Sequence, residues 1–153
     1  MRIIVDMLPE FLNVDLELES NESLEIIAQT FGDKVHILHN GPLKDIAYLL
    51  ALEVYAGDDH DPESIIEAFC DLIEALPAKA KTAWRKCLVR RFDIGIESGS
   101  GVAKRFGALC LSMSPETLKR VAALSAEVVI TVYPPMPPAT KPAAKAKAAK
   151  KKK

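Results

Sequence analysis

The 153-residue chain is 49% hydrophobic with a formal charge of −1, a composition that sustains a packed core and excludes a wholly disordered or collagen-like chain. The balance conceals a split: the last thirteen residues, KPAAKAKAAKKKK, hold seven lysines and no acid, so residues 1–140 hold −8. Cys70, Cys87 and Cys110 are widely spaced and lack a C-x-x-C pair, which argues for reduced thiols and against a disulfide framework or cysteine zinc site.

The opening MRIIVDMLPEF has no apolar run of secretory-signal length. The clearest strand is LNVDLELES. Leu12, Val14, Leu16 and Leu18 alternate with Asn13, Asp15, Glu17 and Glu19, placing aliphatics on one face and acids on the other, as in an antiparallel sheet with one wet side. A helix follows, capped by Ser20 or Asn21, with Leu24, Ile27, Ala28 and Phe31 on one side and Gly32 as its stop. KVHILH reads as a strand and Asn40–Pro42 as a turn. Residues 45–56 fit both periods, and a buried strand is the favoured reading because they lie between a turn and a helix start. Their run Ile46–Leu52, the longest purely apolar one, is too short to span a bilayer.

Asp61, Pro62 and Glu63 make a strong helix start. Ile65, Ile66, Phe69, Leu72, Ile73 and Leu76 give its apolar stripe, Pro77 breaks it, and a second helical stretch runs to about Leu88, burying Trp84 and Ala80. RFDIGIES is the next strand, with Phe92, Ile94 and Ile96 opposite Asp93 and Glu97. A Gly/Ser loop leads to a strand at GALCLSM. Ser114, Pro115 and Glu116 start a last helix with Leu118, Val121, Ala122 and Leu124 inward, and EVVITVY closes the sheet. Cys70 and Cys110 sit in apolar patterns and are expected in the core. Pro134, Pro135, Pro137 and Pro138 end the domain.

The expected fold class is therefore α+β: a ferredoxin-like β-α-β-β-α-β sandwich with an added β-α-β, a mainly antiparallel sheet and helices on one face. Residues 1–133 form one domain; 134–153 form a proline-rich linker and a Lys/Ala-rich tail that cannot bury a core and is expected to be disordered.

The segment LSMSPETLKRVAALSAEVVITVYPP resembles, through Leu111, Ser114, Pro115, Glu116, Leu118, Leu124 and Tyr133, the closing segment of a bacterial domain-of-unknown-function family (DUF4279). Over residues 10–135 the resemblance is one of element order. It implies a small bacterial α+β domain with no established activity, and immunity to a toxin is among the roles it suggests. The tail and the DDHDP loop depart from that pattern. Together with the reduced thiols, the resemblance implies a cytoplasmic protein.

Several motifs weigh toward structure. Successive ligands in DDHD (Asp58–Asp61) diverge and lack EF-hand spacing. His36 and His39, three apart on a strand, should face opposite ways. ESGSG lacks the Lys-Ser/Thr of a phosphate loop. The cations of WRKCLVRR suit a helix C-terminus. No metal or cofactor site and no nucleophile–base pair is read, so the chain is expected to be non-enzymatic.

Two features suggest binding. Asp15, Glu17 and Glu19, joined by Glu53, Asp93 and Glu97 from neighbouring strands, would make an acidic sheet face for a cationic protein partner. Lys141, Lys145, Lys147, Lys150, Lys151, Lys152 and Lys153 would bind DNA or RNA without sequence preference. A solubility extension explains the tail equally well. No membrane association is expected, and the partner and oligomeric state stay open.

Overall fold

The five strands line up in the order β2-β3-β1-β4-β5. The computed structural model describes residues 8–55, 60–99 and 108–135. In chain order the elements are β1 (Glu10–Ser20), α1 (Glu25–Phe31), a short 3-10 turn (Gly32–Lys34), β2 (Val35–Leu43), β3 (Ile46–Val54), α2 (Pro62–Glu74), α3 (Ala78–Lys86), β4 (Val89–Glu97), α4 (Pro115–Ala123) and β5 (Glu127–Tyr133). The pairs β1·β3, β1·β4 and β2·β3 are antiparallel, whereas β4·β5 is parallel. The sheet is thus mixed, within an α+β fold.

The period-two pattern of β1 decides the layering. Val14, Leu16 and Leu18 are fully buried and stand opposite Ile94, Leu52 and Phe92, and Leu50 in the neighbouring strands. Ile27 and Phe31 of α1, Ile65, Ile66 and Phe69 of α2, Trp84 of α3 and Val121 of α4 join them in one core. All four helices therefore cover the same side of the sheet. Burying each such aliphatic is worth about 1.5–3 kcal/mol before chain entropy is set against it.

Local signals explain the element limits. Asp61 accepts a hydrogen bond from the Ser64 backbone N–H at 3.0 Å, and Ser114 accepts one from Thr117 N–H at 3.2 Å. Both are N-caps with proline at the first helical position. Pro77 lies between α2 and α3, and Gly32, at φ 56°, ends α1. Residues 46–54 are a strand.

Other expectations are corrected. Ser20 belongs to β1 and its hydroxyl accepts from Glu22 N–H, so α1 begins only after Leu24. Asn40–Pro42 lies inside β2. The chain reverses instead at Lys44–Asp45, with Asp45 at φ 65°, a conformation aspartate tolerates. Pro42 is accommodated because β2 is an edge strand.

Ala108–Met113 forms no strand. β5 occupies the free edge of β4, reached through α4, and leaves that segment no ladder partner. The expected added β-α-β therefore reduces to one helix and one parallel strand. Cys110 is exposed, whereas Cys70 and Cys87 are buried, and burial pushes both of these thiols up to about 11. On α4, Thr117 and Val121 are buried, but Leu118 and Ala122 are exposed. The helix is rotated by polar anchoring: Thr117 Oγ1 donates toward Glu63 and Glu67 of α2, at 2.8 and 3.1 Å.

Candidate functional site: the open sheet face

With every described helix on one side, Asn13, Asp15, Glu17 and Glu19 of β1 point to the sheet face that no described helix covers. Asp15 sits opposite Asp93 of β4. On its other flank, the register that sets Leu16 against Leu52 places Asp15 beside Glu53 of β3. Three carboxyls thus lie abreast across adjacent strands. Burial pushes Asp15 up to about 7, and Glu53, Glu17 and Asp93 add to the rise.

The cluster borders a cavity of about 170 Å³ closed by Leu12, Gly95 and Tyr133. The Tyr133 ring lies beside Gly95, 3.6 Å from where a Cβ would stand, which is ordinary van der Waals distance. Desolvation and the nearby Asp93, Asp15 and Glu17 raise the Tyr133 phenol above its ordinary value. Thr131 Oγ1 donates to Asp93 at 2.7 Å.

Two residues further along β1, at Glu17, the charge is compensated. Arg91 bridges Glu17 at 3.3 Å and Glu127 at 2.9 Å, and Glu127 above all holds the guanidinium above its ordinary value. Glu19 follows, between Leu49 and Val89. Glu97 shares the face but stands apart at the far end of β4, opposite Glu10 and Tyr133, and is only 9% exposed. Of the six expected acids, the fold therefore brings Asp15, Glu53, Asp93 and Glu17 together, sets Glu19 beside them and removes Glu97 to the rim.

Register shifts alter what reaches this face. A shift in β2 between Ile37 and His39 places His36 against Glu53 and His39 against Ala51. These two positions in β3 are two apart and point the same way, so both histidines lie on the acidic face, not on opposite ones. His39 Nε2 is 3.2 Å from the Gly41 carbonyl. A second shift in β1, between Phe11 and Asn13, turns Phe11 toward the core and moves Leu12 out to the cavity beside the carboxyls.

The remaining motifs resolve as structure where they are described. The His60 ring donates through Nε2 to the Leu12 carbonyl at 2.8 Å and packs against Phe11, tilted by 40° at a centroid distance of 5.1 Å, satisfying the shifted strand end. Asp58, Asp59 and part of ESGSG lie outside the described residues, as do all the tail lysines from Lys141 to Lys153. In WRKCLVRR, Arg90 donates to the carbonyls of Trp84, Arg85 and Cys87 and, from α4's far end, Ser125, closing the C-terminus of α3. Among the described residues no His/Cys/Asp/Glu group has metal-holding geometry, and no helix is long and apolar enough to cross a membrane.

His36, His39, Arg91, Thr131 and Tyr133 were not singled out for this face by sequence pattern. The available signal was the pair of adjacent apolar residues, Ile37–Leu38 and Phe11–Leu12, that interrupts each alternation where the register shifts. Comparison with family models, curated proteins and solved structures gives no match.

Proposed function

We propose that the chain is a non-enzymatic binding domain whose open sheet face receives a cationic surface of a partner protein. The observation that carries this reading is the adjacency of Asp15, Glu53 and Asp93 on an uncovered face, with Asp15 pushed up to about 7. A carboxyl raised by burial, with neighbouring acids adding to the rise, favours a cationic neighbour, and a lysine or arginine laid across the face would supply one. An immunity-type inhibitor that masks a basic toxin is one protein of this kind, in keeping with the family resemblance and a cytoplasmic setting. The order β2-β3-β1-β4 with antiparallel neighbours supports a ferredoxin-like core extended by β5.

The test replaces three acids that make no ion pair among the described residues: Asp15→Asn, Glu19→Gln and Glu53→Gln together. Wild type and variant are used to capture proteins from a lysate of the source organism, after circular dichroism shows both folded. The reading expects a basic protein recovered in stoichiometric amount by wild type and lost with the variant. Equal recovery by both would sink it.

The tail supports a second reading on composition alone: seven lysines without an acid suit nonspecific binding of nucleic acid. Gel shifts at low and moderate salt, with the full chain and a truncation after Thr140, test it. Equal shifts would remove the tail from that role.

A further inference from the structure

On the helix side of the molecule, away from the acidic face, α2, α3, α4 and the start of β4 enclose a cavity of about 420 Å³. That size falls in the ~300–1,000 Å³ range of small-molecule sites. Its apolar part is Trp84, Ile73 and Leu124; its rim carries Lys81, Arg85 and Arg90. We propose that this cleft binds a small organic anion, with an aromatic or aliphatic body against Trp84 and a carboxylate or phosphate toward the three cations.

The charge of the cleft follows from how each group is occupied. Glu74, the acid in the lining, is held by Arg120, which donates to both of its carboxylate oxygens at 2.9 Å. Lys81 and Arg85 stand one helical turn apart on α3, both exposed, and neither makes an ion pair among the described residues. Arg90 is fixed by carbonyls through Nε and Nη1, at 2.9–3.4 Å, while its Nη2 has no partner among the described residues. A guanidinium held rigid by its own backbone contacts, with two N–H bonds left over, is preorganised for an oxyanion. Trp84 is itself fixed, since its indole N–H donates to the Leu124 carbonyl at 3.1 Å, so the apolar wall needs no rearrangement to receive a ligand.

Trp84 is the single tryptophan of the chain and reports on this cleft directly. The full chain is titrated with phenylpropionate, its charge-reversed counterpart phenylpropylamine, phenyl phosphate and inorganic phosphate. Trp84 emission and backbone amide shifts are followed together. The expected result is saturable binding of one or both aryl anions, with shifts centred on residues 81–90 and 123–125. The amine should bind at least about tenfold more weakly, and so should inorganic phosphate, which lacks an apolar body. The arm that binds tighter distinguishes a carboxylate ligand from a phosphorylated one. The double variant Lys81→Gln, Arg85→Gln removes two exposed side chains without ion pairs, so its melting curve should match wild type while anion affinity falls about tenfold or more. Equal binding of the amine, shifts elsewhere, unchanged affinity in the double variant, or no saturable response from any aryl anion would each overturn the proposal. Binding of the amine counts against the proposal only where its shifts fall on residues 81–90 and 123–125, away from the acidic face.

Discussion

Replacing Asp15 by asparagine should make the protein more stable at alkaline pH and leave it unchanged in acid. The carboxyl rises from its ordinary 3.8 to about 7 in the folded chain. Below pH 4 it is protonated in both states and contributes nothing. Between pH 4 and 7 the unfolded chain has released the proton while the folded chain keeps it, so wild-type stability falls as pH rises; above 7 the whole loss is present. At about 1.4 kcal/mol per pH unit the loss would approach ~4 kcal/mol. Asp15 is only half-buried, and water and salt screen its neighbours, so about 1–2 kcal/mol is the expected magnitude. Urea unfolding followed through Trp84 measures it: with a slope of about 2 kcal/mol/M, the Asp15→Asn midpoint should exceed wild type by about 0.5–1 M at pH 8 and coincide with it at pH 4. A difference between the two proteins that is the same at both pH values would refute the electrostatic account of the cluster. A variant less stable than wild type at pH 8 would do so as well.

Arg90→Met should cost about 2–4 kcal/mol in the same assay, because it removes the guanidinium that donates to the carbonyls of Trp84, Arg85, Cys87 and Ser125, of which Trp84 keeps the Cys87 N–H, and Arg90→Lys should recover only part of that loss for want of the planar fork. Thr117→Val keeps the buried volume but takes the hydroxyl from between Glu63 and Glu67; about 1–3 kcal/mol should be lost, read as a lower melting temperature. Hydrogen bonds from Ser114 and Thr117 hold Glu63 below its ordinary value, so this anchoring is present above the usual carboxylate range and fades as pH falls through the folded value; a Thr117→Val penalty that is undiminished in strong acid would contradict it. Asp61→Ala removes the α2 cap and should cost about 1 kcal/mol by urea unfolding, with Asp61→Asn nearly neutral.

The sequence made the strongly periodic and strongly capped elements legible. β1, α2 and α4 were readable because alternation and Asp/Ser-Pro starts act within a few residues. Three things were not. The two register shifts depend on how β2 and β1 meet their neighbours, and each moves residues to the other face: His36 and His39 come together, and Leu12 changes places with Phe11. Ala108–Met113 has a strand's composition but no partner, since β5 takes the edge of β4. The inward side of α4 is set by Thr117 reaching two glutamates 50 and 54 residues away, a contact that hydrophobic periodicity does not encode. The acids were readable as a face; their grouping into a trio, with Arg91 neutralising Glu17 and Glu97 set apart, needed the register of three strands.

β1 has a further consequence for how the chain is made. It precedes the other four described strands in the chain and is the middle strand of the sheet, and both its neighbours come later, β3 at residues 46–54 and β4 at 89–97. A strand with one apolar face waiting that long beside the ribosome is open to pairing with other nascent chains. Asp15, Glu17 and Glu19 put a charge at alternate positions of that strand and oppose its stacking on a copy of itself. The same three side chains that give the finished sheet its acidic face thus serve earlier as gatekeepers, during the interval when the strand has no partner of its own.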